Sequence, residues 1–454
     1  MASAPASIAT ADAVLFTPPS KLKDLLVAAS VAGTTFLNSF FSGALTSTLP
    51  TIQKELGFTP AQLQWPPALY SLVLGSLLLP SGQLADVYGH KILFLAGTAM
   101  YFAVSIGVAL APNVIGFSAL CALLGIAAAA NTPAGVGVLG SYFSAGPAKN
   151  RAFASLGAGQ PVGFIAGLIV GAVMADTRAG WRASFYIQSG LGAIFGVMAL
   201  FAIPSSIAQD PSLIPLTDLA ADDGSNRPGP PPVNKGVDWI GAILSIVGLV
   251  LFTFALADAS SEPRGWRTPF LPPLVPISIG ILVLFFYWES VAARRLTDHY
   301  ERAKDGIKGT PPPPPLLAPS VWKAPHVSSI LAIVFFSWSA FNTSTYYVNL
   351  VLQLVMSVTP IKTALYFLPM IIAGTALNFL PALLMTRLSG RIIIVGAMVL
   401  AVISPVLLAC MDTAAPYWQY LFPIMVLAPA TDIIFPVCTI QISRSVPKSQ
   451  QATA

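Results

Sequence analysis

Apolar residues fill the chain in long unbroken runs, and polar residues collect in the stretches between them. A helix needs about 20 apolar residues to cross roughly 30 Å of hydrocarbon. Runs of that length occur at approximately 25–50, 66–84, 92–111, 115–137, 152–175, 184–203, 239–257, 270–288, 327–349, 364–385, 392–411 and 417–440. Barrel strands would alternate apolar and polar residues over about 10 positions. These runs are instead apolar on all sides and rich in Gly and Ala. A spanning backbone must satisfy its own hydrogen bonds, so the pattern predicts an all-α polytopic membrane protein with about twelve transmembrane helices. The first run is too long for a signal core and reads as a spanning helix.

Composition supports this reading. Of the 454 residues 55% are hydrophobic and 9% charged, against about 25% charged in soluble domains. Mean hydropathy is +0.75. The net charge of +5 is spread over loops and makes no nucleic-acid patch. It does orient the chain, because Lys and Arg favour cytoplasmic loops. With the N-terminus inside, the outer loops hold only Lys54, Arg178, Arg182, Arg264, Arg267 and Lys362 of the 23 basic residues. The cysteines, Cys121, Cys410 and Cys438, lie in apolar runs without metal-ligand spacing and read as core residues.

Two long polar breaks divide the helices into six, two and four. The expected plan is a disordered cytoplasmic tail at 1–23, a six-helix half at 24–204 and a cytoplasmic loop at 205–236. An inserted helix pair at 237–290, a Pro-rich basic cytoplasmic loop at 291–325 and a four-helix C-terminal half at 326–454 follow. The five prolines Pro311–Pro315 predict extended polyproline geometry in a solvated linker. A weak repeat sets Leu79-Pro80 and Gly89-His90 against Leu380-Pro381 and Gly390-Arg391, as expected of parallel transporter halves.

Two motifs are more specific. Gly82-Gln83-Leu84-Ala85-Asp86-Val87-Tyr88-Gly89-His90-Lys91 joins the second and third runs. Its glycines allow a tight turn, and Asp86 sits at a helix end where a basic group can meet it. In the fifth run Gly159, Gly163, Gly167 and Gly171 recur every four residues, a face on which a second helix can pack closely, with Pro161 bending the helix.

The first motif resembles the loop signature of the major facilitator superfamily, with His90 where Arg is usual. The Gly-Gln-Pro-Val-Gly stretch at 159–163 resembles the antiporter signature of that superfamily's drug:proton exchangers. Trp181-Arg182 with Phe185-Tyr186, Leu49-Pro50-Thr51-Ile52 and Asp238-Trp239-Ile240-Gly241 resemble further elements of its 14-helix drug:proton antiporter subfamily. The stretch from Asn342 to Tyr347 and Leu368-Pro369-Met370 resemble its fungal-type members. The likeness runs from about residue 25 onward and implies a major facilitator fold. It gives Gly82, Asp86, Gly89, Lys91, Gly159, Pro161, Gly163, Gly167, Trp181 and Arg182 gating or structural roles.

Three departures stand out. Asn38 occupies a position where the subfamily often has Asp. Cys121-Ala122-Leu123-Leu124-Gly125 lacks the Arg of the fourth helix. The sequence stops at Ala454, where the subfamily continues with two more helices, so the last pair is expected to be missing.

Ionisable groups in hydrocarbon are costly and point to function. Asp432 alone falls clearly inside a predicted span and is the proton-coupling candidate. Asn38, Asn131, Gln160, Asn342, Tyr346, Tyr347 and Asn378 are candidates for lining a substrate pathway. Amide and aromatic groups in an apolar cavity suit an amphipathic organic solute. His90, His299 and His326 fall in loops and form no ligand pair, no catalytic cluster is visible, and no P-loop supports ATP-driven transport. The expected function is secondary active transport of small organic molecules by alternating access. Drug or metabolite efflux coupled to protons is what the resemblance implies. The partners are a small solute, protons and the bilayer, with no nucleic acid, metal or cofactor. A monomer is expected, in the plasma membrane rather than the vacuolar membrane. The competing reading is a truncated paralogue that no longer transports and serves as a sensor or interaction protein.

Overall fold

The computed structural model describes residues 21–59, 62–143, 147–204, 236–261, 264–304, 310–317, 322, 326–385, 387–434 and 437–438. Each of the twelve apolar runs carries an α-helix: α1 (Lys21–Leu56), α2 (Trp65–Tyr88), α3 (His90–Ala109), α4 (Val114–Tyr142), α5 (Pro147–Ala175), α6 (Arg182–Ala202), α7 (Trp239–Ser261), α8 (Leu271–Lys304), α9 (Val327–Leu350), α10 (Pro360–Leu384), α11 (Gly390–Ala409) and α12 (Leu421–Leu427). Ten helices among the described residues are long and apolar enough to span a membrane. The end of the bundle at Lys21 and Lys91 is called inner and that at Glu55 and Arg182 outer, after the predicted orientation.

Local chemistry sets the helix ends. Asn113 caps α4 by accepting the Gly116 amide at 2.8 Å, and Asp238 caps α7 by accepting that of Gly241 at 3.0 Å. Gly89 turns the chain between α2 and α3 at φ 98°, where a side chain would be strained. Prolines inside helices, such as Pro50, Pro80 and Pro133, are tolerated as they are in membrane bundles.

Helices α1–α6 form one bundle, in which α1 packs on α5, α6 and α4, and α3 on α4 and α6. Buried polar contacts reinforce the apolar core. Tyr101 on α3 donates to the Leu37 carbonyl on α1 at 2.8 Å and accepts from Gln188 on α6 at 3.0 Å. Helices α7 and α8 pair with each other, and α7 lies against α2. Helices α9–α12 form a second group, which meets the first through α10 against α5. Phe164 of α5 packs there against the cluster containing Phe367 and Met370. The repeat noted in the sequence is matched in part: Pro80 lies about two turns before the end of α2 and Pro381 in the last turn of α10, and His90 and Gly390 open α3 and α11.

Several expectations are corrected. Helix α1 begins at Lys21, inside the stretch expected to be tail, whereas residues 1–20 and 205–235 lie outside the described residues. Helix α8 continues to Lys304, well past the expected end at 288–290, because residues 290–304 form an amphipathic helix that hydropathy alone reads as loop. The proline run is no free linker: Pro311 is buried and residues 312–317 are half-buried. Cys410 is exposed, unlike Cys121 and Cys438. His90 and His299 lie in helices and not in loops. The twelfth run begins its helix at Leu421 and tightens to a 3-10 turn at Ala428–Ala430.

Candidate functional site

Between the two groups lies a cavity of about 190 Å³. Helix α1 lines it with Phe41, Ser42, Leu45 and Thr46, and α2 with Pro67, Tyr70 and Ser71. Phe164 closes it from α5, and Asn342, Thr345 and Tyr346 from α9. No charged side chain lines it. Drug-sized ligands occupy pockets of about 300–1,000 Å³, so the cavity here is smaller than such a solute fills. A larger hollow of about 540 Å³ between α1 and α6 is lined by aliphatic and phenyl side chains such as Leu26, Met198 and Phe201. It offers no polar side chain to orient a solute.

Of the pathway candidates, Asn342 and Tyr346 reach the cavity directly. Asn342 also donates to the Trp338 carbonyl of its own helix at 2.8 Å. Asn38 sits one turn inward of the cavity, in line with Ser42 and Thr46, each of which donates to the carbonyl four residues earlier. Its Nδ2 donates to Asn131 Oδ1 at 3.4 Å and Thr132 Oγ1 at 3.2 Å on α4. Its Oδ1 is buried with no partner among the described residues. Gln160 lies one turn inward of Phe164 on α5 and is exposed. Tyr347 is 53% exposed, stacks edge-on against Tyr346 and does not line the cavity. Asn378 is spent locally, donating to the Gly374 carbonyl on α10 at 3.0 Å.

Asp432 is half-buried beside that same glycine. A Cβ on Gly374 would stand 2.8 Å from Asp432 Oδ2, so the glycine makes room for the carboxylate. Asp432 is not the sole acidic group inside a helix, because Asp258 and Glu289 are also buried within α7 and α8. Hydropathy missed Glu289 by ending the eighth span one residue early.

The glycine ridge of α5 meets the backbone of α1. A Cβ on Gly159 would lie 2.7 Å from the Ala32 carbonyl oxygen, and those on Gly163 and Gly167 would collide with the Phe36 and Phe40 carbonyls. Gly43 on α1 faces the Phe164 carbonyl in return. The seam therefore fixes Phe41 and Ser42 opposite Phe164. Pro161 lies within this ridge.

At the inner end, His90 Nε2 stands 3.7 Å from Asp86 Oδ1, and the Asp86 side chain remains 66% exposed. The imidazole lies against Gly137 of α4, whose missing side chain leaves its space. Lys91 donates to the carbonyls of Leu200 and Ile203, binding the start of α3 to the C-terminal end of α6 where a cation is favoured. Gly82 meets only Pro133, at 3.9 Å from its ideal Cβ. At the outer end, Arg182 reaches Glu55 Oε1 through Nε and Nη2 at 3.2 and 2.9 Å, and the carbonyls of Ala109 and Ala111 through Nη1. Trp181 Nε1 donates to Glu55 Oε2 at 2.6 Å. Sequence reasoning singled out Trp181 and Arg182 but not Glu55, which lies beyond the expected end of the first helix.

A sequence model described as Major Facilitator Superfamily matches residues 31–257 and 236–454. The chain belongs to the Major Facilitator Superfamily. Among relatives within it, the MFS-type transporter 1 of Pyricularia oryzae is 29% identical over 94% of this chain and 69% of its own length. The efflux pump terJ of Aspergillus terreus is 27% identical over 91% of this chain and 73% of its own length. The solved POT family transporter PepTSo shares the fold, with a TM-score of 0.60 at 17% identity over 95% of this chain and 85% of that one. This superfamily member is thus a multi-pass integral membrane transporter.

Proposed function

We propose that the protein exports small amphipathic organic molecules in exchange for protons, by alternating access around the cavity between α1, α2, α5 and α9. The observation that carries the reading is the cavity wall, where amide, hydroxyl and aromatic groups from both helix groups face one space without a charged side chain. Such a lining suits an apolar body with a few hydrogen-bonding groups. Relatives named as efflux pumps favour the outward direction. The inserted pair α7–α8, opened by Asp238-Trp239-Ile240-Gly241, favours the 14-helix drug:proton antiporter subfamily. Asp432 is the proton carrier in this account, because it is a carboxylate beside a helix glycine, away from the N-terminal positions where Asn38 and Cys121 stand. The protein acts as a monomer in the plasma membrane.

The test is dye efflux from cells that express the protein. Wild type should lower the accumulation of a fluorescent amphipathic dye, and Ser42→Trp, which fills the cavity, should not at equal membrane abundance. Equal efflux by Ser42→Trp would place the pathway elsewhere.

A further inference from the structure

At the inner end of the inserted helix pair, two buried carboxylates have no part in solute binding. Asp238 is 4% exposed and Glu289 on α8 is 1% exposed. Both reach the space left by Gly241, where a Cβ would stand 2.7 Å from Asp238 Oδ2 and 2.7 Å from Glu289 Oε1. Asp238 is well supplied with donors. Its Oδ1 accepts the Gly241 amide, and Trp288 Nε1 lies 3.0 and 2.9 Å from its two oxygens. Glu289 Oε2 accepts the Leu317 amide at 2.9 Å, whereas its Oε1 is buried without a partner among the described residues. Two buried carboxyls so placed resist double ionisation. The proton falls to Glu289, whose Oε1 is the oxygen left without a donor.

We propose that Glu289 is a neutral acid whose Oε1–H donates to Asp238, and that this shared proton latches the proline segment across the inner end of α2. The hydrogen bonds form one chain. Pro314 accepts from Gln83 Nε2 at 2.8 Å, and Gln83 Oε1 accepts the Asp238 amide at 3.0 Å. Gln83 belongs to the signature between α2 and α3, so the latch acts on the helix that carries the gating motif. When the proton leaves for water, two like charges face each other beneath residues 310–317. The segment lifts, and Glu289 gains solvent.

The neighbouring charged groups are few among the described residues. On α2, Asp86 is paired with His90 further inward. On α8, the Arg295 guanidinium lies over the Trp288 ring at 5.2 Å. Residues 310–317 contain no titratable side chain. The latch does not depend on which solute is carried.

Two readouts on the purified full chain test it. Infrared spectra at neutral pH should contain a protonated-carboxyl carbonyl band that E289Q removes and D432N keeps. A band unchanged in E289Q overturns the assignment. The second readout is maleimide labelling of Leu316→Cys over a series of pH values from acid to alkaline. Labelling is taken against the same chain without that cysteine. With E289Q as the reference at each pH, which cancels the thiol's own ionisation, labelling of the chain with Glu289 should rise about tenfold as the latch opens. A ratio flat with pH shows that no proton holds the segment.

Discussion

Replacing Gly167 by alanine is a sharp test of the packing on which the site depends. The added Cβ would fall against the Phe40 carbonyl, 2.8 Å from its carbon and 2.9 Å from the Ala44 nitrogen. All of these are backbone atoms of α1 and cannot rotate aside. Helices α1 and α5 must therefore move apart, and overpacking of this kind costs about 1–3 kcal/mol. Gly157 lies on the same helix with nothing within 4 Å of its ideal Cβ. Alanine there gains helix propensity of about 0.5–1 kcal/mol without a clash. That gain is common to both variants, so their difference isolates the steric cost at about 1–3 kcal/mol. Unfolding of a membrane protein in detergent is usually irreversible, so the assay compares apparent midpoints at one heating rate, read as the monodisperse fraction. Gly157→Ala should melt at or above wild type and Gly167→Ala below it. If Gly167→Ala melts as high as Gly157→Ala, the close approach of α1 and α5 is wrong.

Three further predictions concern function and the outer clamp. Asp432→Asn should leave membrane abundance intact and abolish the pH dependence of transport, measured as dye efflux across a range of external pH. Arg182→Ala should lower thermal stability more than Glu55→Gln, by about 1–3 kcal/mol, because it removes the Arg182 donors from Glu55 Oε1 and from two carbonyls; midpoints for the two variants check the order. Asn342→Ala and Tyr346→Phe should each raise the half-saturating dye concentration about three- to tenfold, the loss of one net hydrogen bond, and unchanged values would remove these residues from the pathway.

Much of this architecture could be read from the sequence. Twelve apolar runs became twelve helices because hydrocarbon and backbone hydrogen bonding leave few other structures. The glycine ridge at 159–171 declared its own partner contact, since a four-residue glycine spacing has no use except close approach. What escaped the sequence follows from its local nature. Helix α8 outlasts its apolar run because residues 290–304 are held in helix by packing on one face and water on the other, which hydropathy averages away. The proline run, expected to be solvated, is packed, because Gln83 bonds Pro314 and Glu289 bonds Leu317 just after the run. The candidate list mixed cavity groups with helix glue. Asn342 and Tyr346 face the cavity, whereas Asn378 bonds its own helix and Asn131 bonds Asn38, and only the helix rotations in three dimensions separate them. Glu55 was invisible for a similar reason: its role depends on α6 and the end of α3 arriving beside the last turn of α1.

The most direct test of the central claim is flux in proteoliposomes that contain only the purified chain, with a fluorescent amphipathic dye on one side and an imposed proton gradient. Saturable dye movement that follows the gradient, collapses with a protonophore and is lost in Ser42→Trp is the predicted result. Dye movement that is the same with and without the protein would contradict transport and favour a sensor or interaction role on a transporter scaffold.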